Sequence, residues 1–246
     1  VVNNVTKEVK SEFAPDRRDK TFEVEAKYVD GNWVLYGSTT EAQAKEAMVA
    51  RLQENGIEPL DSIVLLPSPA MEDKIYAIAA HSVANLRYAA DYSSEMATQV
   101  LMGTPLKVLE KKSYWYRVVT PEGYIAWVTV GSVKRMNEEE LTAWRSSERL
   151  IVNTHYTLFL DQPSKKGNII SDGVWGNIVQ VAGKAVNGYA KVQLPNGKIA
   201  YVPQGDVVSF DKWLSTRKAT PENIIKTGKQ FLNKQKLARK LILPTV

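Results

Sequence analysis

The stretch VANLRYAADYSSEMATQVLMGTPLKVLEKKSYWYRVVTPEGYIAWVTVGSV, residues 83–133, decides the fold. Short apolar segments are broken at close spacing by turn signals, which is the pattern of a small antiparallel β-barrel. Val100 and Leu101 precede Gly103-Thr104-Pro105, and Leu106, Val108 and Leu109 follow it. Tyr114 to Val119 alternates. Thr120-Pro121-Glu122-Gly123 turns the chain, and Tyr124 to Val130 returns with Ile125 and Trp127 on one face. The residues between Arg87 and Gln99 are polar without period 2 and read as a long loop beside the barrel.

The same pattern recurs downstream. WYRVVTPEGYIAWVTVGSV (115–133) lies over YAKVQLPNGKIAYVPQGDV (189–207) without a gap, 74 positions apart. Pro121/Pro195, Gly123/Gly197, Ala126/Ala200 and Val128/Val202 are identical, Trp127/Tyr201 keeps an aromatic, and Arg117/Lys191 keeps a cation. Shared hairpin geometry alone does not force Ala126 and Ala200 to agree, so the match reads as a duplication.

These residues resemble the bacterial SH3 (SH3b) domains that precede the catalytic domain of NlpC/P60 cysteine peptidases. Those enzymes cut γ-D-glutamyl-diamino acid bonds in murein peptides. The resemblance runs from about Thr21 to Leu232 and is carried by NLR (85–87), SSEMATQVLMGTPLKVL (93–109), YWYRVVTPEGYIAWV (114–128) and IIKTGKQFL (224–232). In the family the last of these opens the catalytic domain, whereas here NKQKLARKLILPTV follows. The resemblance therefore implies the non-catalytic part of such a peptidase, and an exported location in the periplasm or cell envelope.

The expected architecture is α+β and all-β in several domains. Residues 1–70 read as a BON-like α/β domain in the order helix, strand, strand, helix, strand. Within it Asp30-Gly31 is a hairpin signal. A helix from Thr40 to Asn55 begins with a capping box of Thr40 and Gln43. A first SH3b barrel is expected over 74–136. A linker helix over 137–147 follows, with Asn137 and Glu140 as its capping box, and then a second barrel over 148–210. Residues 211–246 read as a helical tail, with Thr220-Pro221-Glu222 as a cap.

Composition narrows the function classes. The chain has 246 residues, no cysteine and a net charge of +5. Without a thiol there is no disulfide, zinc-thiolate site or cysteine nucleophile. Six cations without an acid follow Glu222, and they leave a net charge of −1 for the rest. The chain's surplus charge thus sits in the C-terminal segment, which argues against nucleic acid as a partner of the rest. No apolar run approaches the length of a transmembrane segment. No spacing of ligands implies a metal or cofactor. The two histidines, His81 and His155, stand one at the start of each barrel. Ser82 cannot pair with His81, because neighbouring strand residues point to opposite faces. The acids Glu138-Glu139-Glu140 suit the start of a helix.

Binding is the remaining chemistry. By the resemblance, an acid in the long loop and a tyrosine on the returning hairpin hold the free α-amino group of the substrate's N-terminal L-alanine. The matching residues here are Glu95 in SSEMATQ and Tyr124 in PEGYIAW, with Ser94 in the same loop and Tyr92, Tyr88, Tyr114 and Trp115 as candidates for the same surface. A carboxylate that accepts from a shielded ammonium is worth about 1.5–3 kcal/mol. The second copy has Lys198 where the first has Tyr124, so only the first copy is expected to bind an amine. The bland alternative leaves Glu95 as a solvated loop charge and Tyr124 as packing. Peptidoglycan stem peptides are the expected partner. A second expectation is a scaffold that engages a protein partner through the Ile224/Phe231/Leu232 face of the C-terminal helix.

Overall fold

A computed structural model of the chain describes residues 1–229. Mostly β, with helices at the joints, the described residues form one small three-stranded sheet and two seven-stranded sheets. Phe231, Leu232 and the basic residues that follow them lie outside the described residues.

Helix α1 (Val2–Phe13) buries Val2, Val5 and Val9 and stops before Pro15, which disfavours helical geometry in the residue it follows. Strands β1 (Phe22–Val29) and β2 (Asn32–Thr39) pair antiparallel through Asp30 and Gly31, both at positive φ, as a type I′ turn requires. Helix α2 (Ala42–Glu54) buries Ala44, Met48 and Leu52 against them. Strand β3 (Leu60–Leu65) then runs parallel to β2. The expected capping box on α2 does not form. Its N-cap is Glu41 without a side-chain bond. The Thr40 hydroxyl instead accepts from the Thr21 N–H at 2.9 Å and so joins the helix start to β1.

The next sheet comprises β4 (Tyr76–Ala79), β5 (Val83–Arg87), β6 (Met96–Leu101), β7 (Pro105–Lys112), β8 (Trp115–Val119), β9 (Ile125–Thr129) and β10 (Val133–Met136). Its hydrogen-bonded order is β10-β4-β7-β8-β9-β5-β6. The ladder has two ends, β10 and β6, and is not the closed barrel that the turn spacing suggested. The loop expected from Arg87 to Gln99 is also shorter, because Met96 to Gln99 pair with β5. Neither their side chains (Met96, Ala97, Thr98, Gln99) nor their burial alternates, and a register shift falls opposite them, so a period-2 reading misses the strand.

Helix α3 (Glu138–Ser146) opens with the capping box expected of Asn137 and Glu140. Its Leu141 and Trp144 pack with Ile78 of the first large sheet and Ile178 of the second, so the helix holds the two together. The second comprises β11 (Arg149–Val152), β12 (Tyr156–Leu160), β13 (Ile169–Val174), β14 (Ile178–Val181), β15 (Tyr189–Gln193), β16 (Ile199–Pro203) and β17 (Val207–Ser209). Read from β17, its order is β17-β11-β14-β15-β16-β12-β13, the order of the first sheet strand for strand. Trp115 pairs with Thr129 and Tyr189 with Pro203, and all five pairs of the β8–β9 hairpin recur in β15–β16 at the sequence offset. Even the irregularity in β5 between Leu86 and Arg87 recurs in β12 between Phe159 and Leu160. Duplication thus extends from residue identity to register and bulge.

Contacts between the sheets are backbone-close. Met102, in the turn after β6, is fully buried in the core of the second large sheet. Its carbonyl accepts from the Ile178 N–H at 2.9 Å. Asn177, also fully buried, donates to the Ser82 carbonyl at 2.8 Å and accepts from the Val174 N–H at 2.9 Å. Beyond β17, α4 (Phe210–Thr216) packs on β11. Residues 221–229 are helical again, with Thr220 capping through its hydroxyl as expected.

Candidate functional site

Strand β9 of the first large sheet is covered on both faces. Ile125, Ala126, Trp127 and Val128 are all buried. Ala126 and Val128 face the core of the sheet with Val118. Ile125 lies on the other side with Leu109 and with Leu66 from the end of the three-stranded unit. The outer face of this hairpin is therefore covered by the N-terminal α/β unit.

Arg117 holds the cover in place. Its side chain, 4% exposed, extends from β8 over the Trp127 ring at 4.5 Å, its pairing neighbour on β9. Nη2 donates to Glu23 of β1 at 2.6 Å. Nη1 lies 3.1 Å from Glu110 of β7, an ion-pair contact whose angles fall short of a hydrogen bond. The Ser38 hydroxyl of β2 donates to the same Glu110 carboxylate at 3.4 Å. One guanidinium thus ties two strands of the first large sheet to the α/β unit.

The connection from α1 to β1, residues 14–21, crosses the same face. The Arg18 carbonyl accepts from the Ile125 N–H at 2.6 Å and extends the sheet by one bond. The Arg18 side chain grips Asp16 through both carboxylate oxygens and holds that carboxyl at about 2, well below its ordinary range. Arg17 stacks on the Tyr88 ring at 4.2 Å.

Glu95 and Tyr124 border this connection from two sides and do not touch each other directly. Glu95 ends the β5–β6 loop with its side chain 76% exposed, and Arg17 approaches it at 4.0 Å. Tyr124, half-buried, follows the turn at Gly123, whose φ of 90° belongs to the region that favours glycine. It shares a shallow cleft of about 250 Å³ with Asp16, Arg18 and Glu122. Ser94 closes the loop internally by accepting from the Ala89 N–H at 3.0 Å. Tyr92 is exposed and packs at a tilt on Trp115 at 4.9 Å. Trp115 itself is buried, and Tyr114 projects into solvent.

The loop is braced by hydrogen bonds although the Glu95 side chain is exposed. Arg87 donates to the Ser94 carbonyl. The Tyr88 N–H donates to the Glu95 carbonyl at 3.1 Å. Both the backbone and the hydroxyl of Ser93 donate to Asp91 at 2.7 Å and lower the Asp91 pKa. These bonds fix the backbone at Glu95 and leave its carboxylate for solvent or a ligand.

The repeat differs here. Arg87 pairs with Met96 as Leu160 pairs with Ile169, so Asn168 stands where Glu95 does. The Asn168 amide donates to Asp161 at 2.8 Å, and its backbone N–H donates to the same carboxylate, also at 2.8 Å. The acid of the second loop is engaged within the loop. Lys198 occupies the position equivalent to Tyr124.

Sequence reasoning missed Arg17 and Arg18. They lie in a charged segment without periodicity, and only the folded path of the chain brings them to residues 70 or more positions away. Among the described residues no group of three His, Cys, Asp or Glu side chains is placed to hold a metal ion. No described helix is long and apolar enough to cross a membrane.

Residues 82–134 match the bacterial SH3 domain family, which defines the class of the first large sheet. Among solved structures, the chain is similar to an NlpC/P60 family protein from Bacillus cereus ATCC 10987. The two share 18% identity over 55% of this chain and 56% of that one, with a TM-score of 0.46. It is also similar to an NlpC/P60 endopeptidase from Photobacterium damselae subsp. piscicida, at 11% identity over 85% and 52% and a TM-score of 0.42. A third similarity is to the CBD of endolysin LysPBC5, at 14% identity over 55% and 92% and a TM-score of 0.20. The chain spans about half the length of the two NlpC/P60 structures. No curated protein matches it.

Proposed function

We propose that this chain is a non-catalytic, exported cell-wall-binding protein that recognises murein stem peptides by their free N-terminal L-alanine. The observation that carries the reading is the β5–β6 loop of the bacterial SH3 domain: a backbone fixed by internal hydrogen bonds that presents an exposed carboxylate at Glu95. A preorganised acceptor loses little freedom when a ligand arrives. Tyr92 and Tyr124 flank the loop and the connection beside it, and supply aromatic surface and a hydroxyl. Ser94 keeps the loop closed. In this reading the second large sheet is a second SH3b domain whose amine site has been lost, through Asn168 and Lys198. The three-stranded unit is a BON-like domain that packs on the first.

The test is calorimetric titration of the chain with L-Ala-γ-D-Glu-diaminopimelate, with the N-acetylated peptide as control and Glu95→Gln as variant. Saturable binding that needs the free amine and is lost in Glu95→Gln is expected. Absence of heat up to millimolar peptide overturns the reading. A scaffold role is the alternative, favoured by Ile224 and Ile225, which are 62% and 56% exposed on the helical residues 221–229. Dimerisation measured by light scattering, and its loss on changing both to Lys, would support it.

A further inference from the structure

A second cleft, of about 170 Å³, lies where the α/β unit meets the first large sheet. It is lined by four cations, Lys10, Arg17, Lys20 and Arg117, and by a single carboxylate, Glu23. Tyr88 and Trp127 add aromatic surface, and Ile125 and Ala126 of β9 also line it. We propose that this cleft is a binding site for the anionic end of a ligand, a carboxylate or phosphate group borne on a small apolar substituent.

The four cations are not equivalent. Arg117 is occupied by Glu23 and Glu110, and Lys20 is paired with Glu41 at 3.3 Å. Lys10 makes no ion pair among the described residues. Among the described residues Arg17 has only the long ion pair with Glu95, and it lies over the Tyr88 ring, so its N–H groups are able to donate to an anion. Lys10 and Arg17 are therefore the groups that would contact an anion. The two paired cations would contribute field from the walls. Apolar area from Phe22, Ile125 and Trp127 takes the substituent. The volume is below the 300–1,000 Å³ or so of sites that enclose a whole small molecule. The cleft thus suits one end of a ligand, not a polymer, and this separates it from a nucleic-acid surface. It needs neither Glu95 nor Tyr124, so it stands independently of the amine-binding reading.

The experiment is an NMR titration of the full 15N-labelled chain at low salt, followed at the Ala126 and Trp127 amides and the Trp127 indole. The probes are N-acetylglycine, inorganic phosphate and, as neutral control, N-acetylglycinamide. Saturable shifts with one or both anions and none with the amide are expected, and the stronger anion identifies the chemistry. Lys10→Gln, at an exposed position, should weaken binding at least fivefold, and Lys10→Gln/Arg17→Gln at least tenfold. The neighbouring Lys7→Gln should change it less than twofold. No saturable shift up to 50 mM anion (about 50-fold above a millimolar Kd), equal shifts with the neutral amide, or indifference to the double substitution overturns the proposal.

Discussion

Replacing Arg117 tests how the α/β unit is held on the first large sheet. Arg117→Ala removes the 2.6 Å bond to Glu23, the contact with Glu110 and the stack on Trp127. Glu23 is 63% exposed and regains water, so that pair contributes about 1 kcal/mol. Glu110 is 23% exposed and keeps only the Ser38 hydroxyl, so its loss of a partner costs about 1 kcal/mol. The cation over Trp127 and the buried stem of the side chain account for about 1 kcal/mol more. The expected cost is about 3 kcal/mol, or a melting point lower by about 6–12 °C for a domain of this size. Arg117→Lys reproduces the residue of the second copy. It keeps the charge and loses the planar fork, so its melting point should fall by only about 2–4 °C. Thermal melts followed by circular dichroism and tryptophan fluorescence read both. An Arg117→Ala protein that melts within 2 °C of the parent, or an Arg117→Lys protein as unstable as Arg117→Ala, would refute the assignment of Arg117 as the clamp.

Three further outcomes are expected. Arg17→Ala removes a cation that competes for Glu95, and an exposed pair of this kind is worth less than about 1 kcal/mol. Affinity for L-alaninamide, an amine without a carboxylate, should therefore rise by up to about fivefold in calorimetry; a fall would show that Arg17 helps to bind it. Gly103→Ala places a methyl 2.5 Å from the Ile178 carbonyl oxygen at a φ of +87°. It should cost about 2–4 kcal/mol in urea unfolding, and an unchanged midpoint would mean that the two large sheets are not locked at this turn. The Asp16 carboxyl should titrate near about 2 by carboxyl NMR and return towards 3.8 in Arg18→Gln. Because its folded value is depressed, the stabilisation it gives is complete above the unfolded value and is lost as pH falls from about 4 towards 2.

Local rules read the elements well where the chemistry is local. Asp30-Gly31 turns the first hairpin, Pro15 ends α1, and Asn137 with Glu140 caps α3, each decided within four residues. They failed where a distant segment intervened. Thr40 and Gln43 have the letters of a capping box, but Thr21 claims the Thr40 hydroxyl. Alternation set Ile125 and Trp127 of β9 on one face but could not show that the α/β unit covers that face, so that both are buried along with Ala126 and Val128. Glu95 and Tyr124 were legible as candidates from the resemblance. Their shared neighbour, the connection carrying Arg17 and Arg18, was not, because nothing in a charged, aperiodic segment says which surface it will cross.

The two copies show what the framework requires and what it leaves free. Strand order, the five pairs of the returning hairpin and the irregularity before the loop are common to both, so these are conditions of the fold. Three positions differ in ways that alter chemistry: Glu95 against Asn168, Tyr124 against Lys198, and Arg117 against Lys191. None is needed by the sheet, since the second copy folds without them. All three lie where the first copy meets the α1–β1 connection and the α/β unit. A lysine in place of Arg117 cannot bridge two carboxylates in a fixed plane, and an asparagine in place of Glu95 has no charge for an ammonium. Of the three, Arg117 holds the covered face and lines the cationic cleft, while Glu95 and Tyr124 belong to the candidate amine site. The contacts that dock the α/β unit and the residues of the candidate amine site thus lie on one face of the first copy, the face on which the two copies differ.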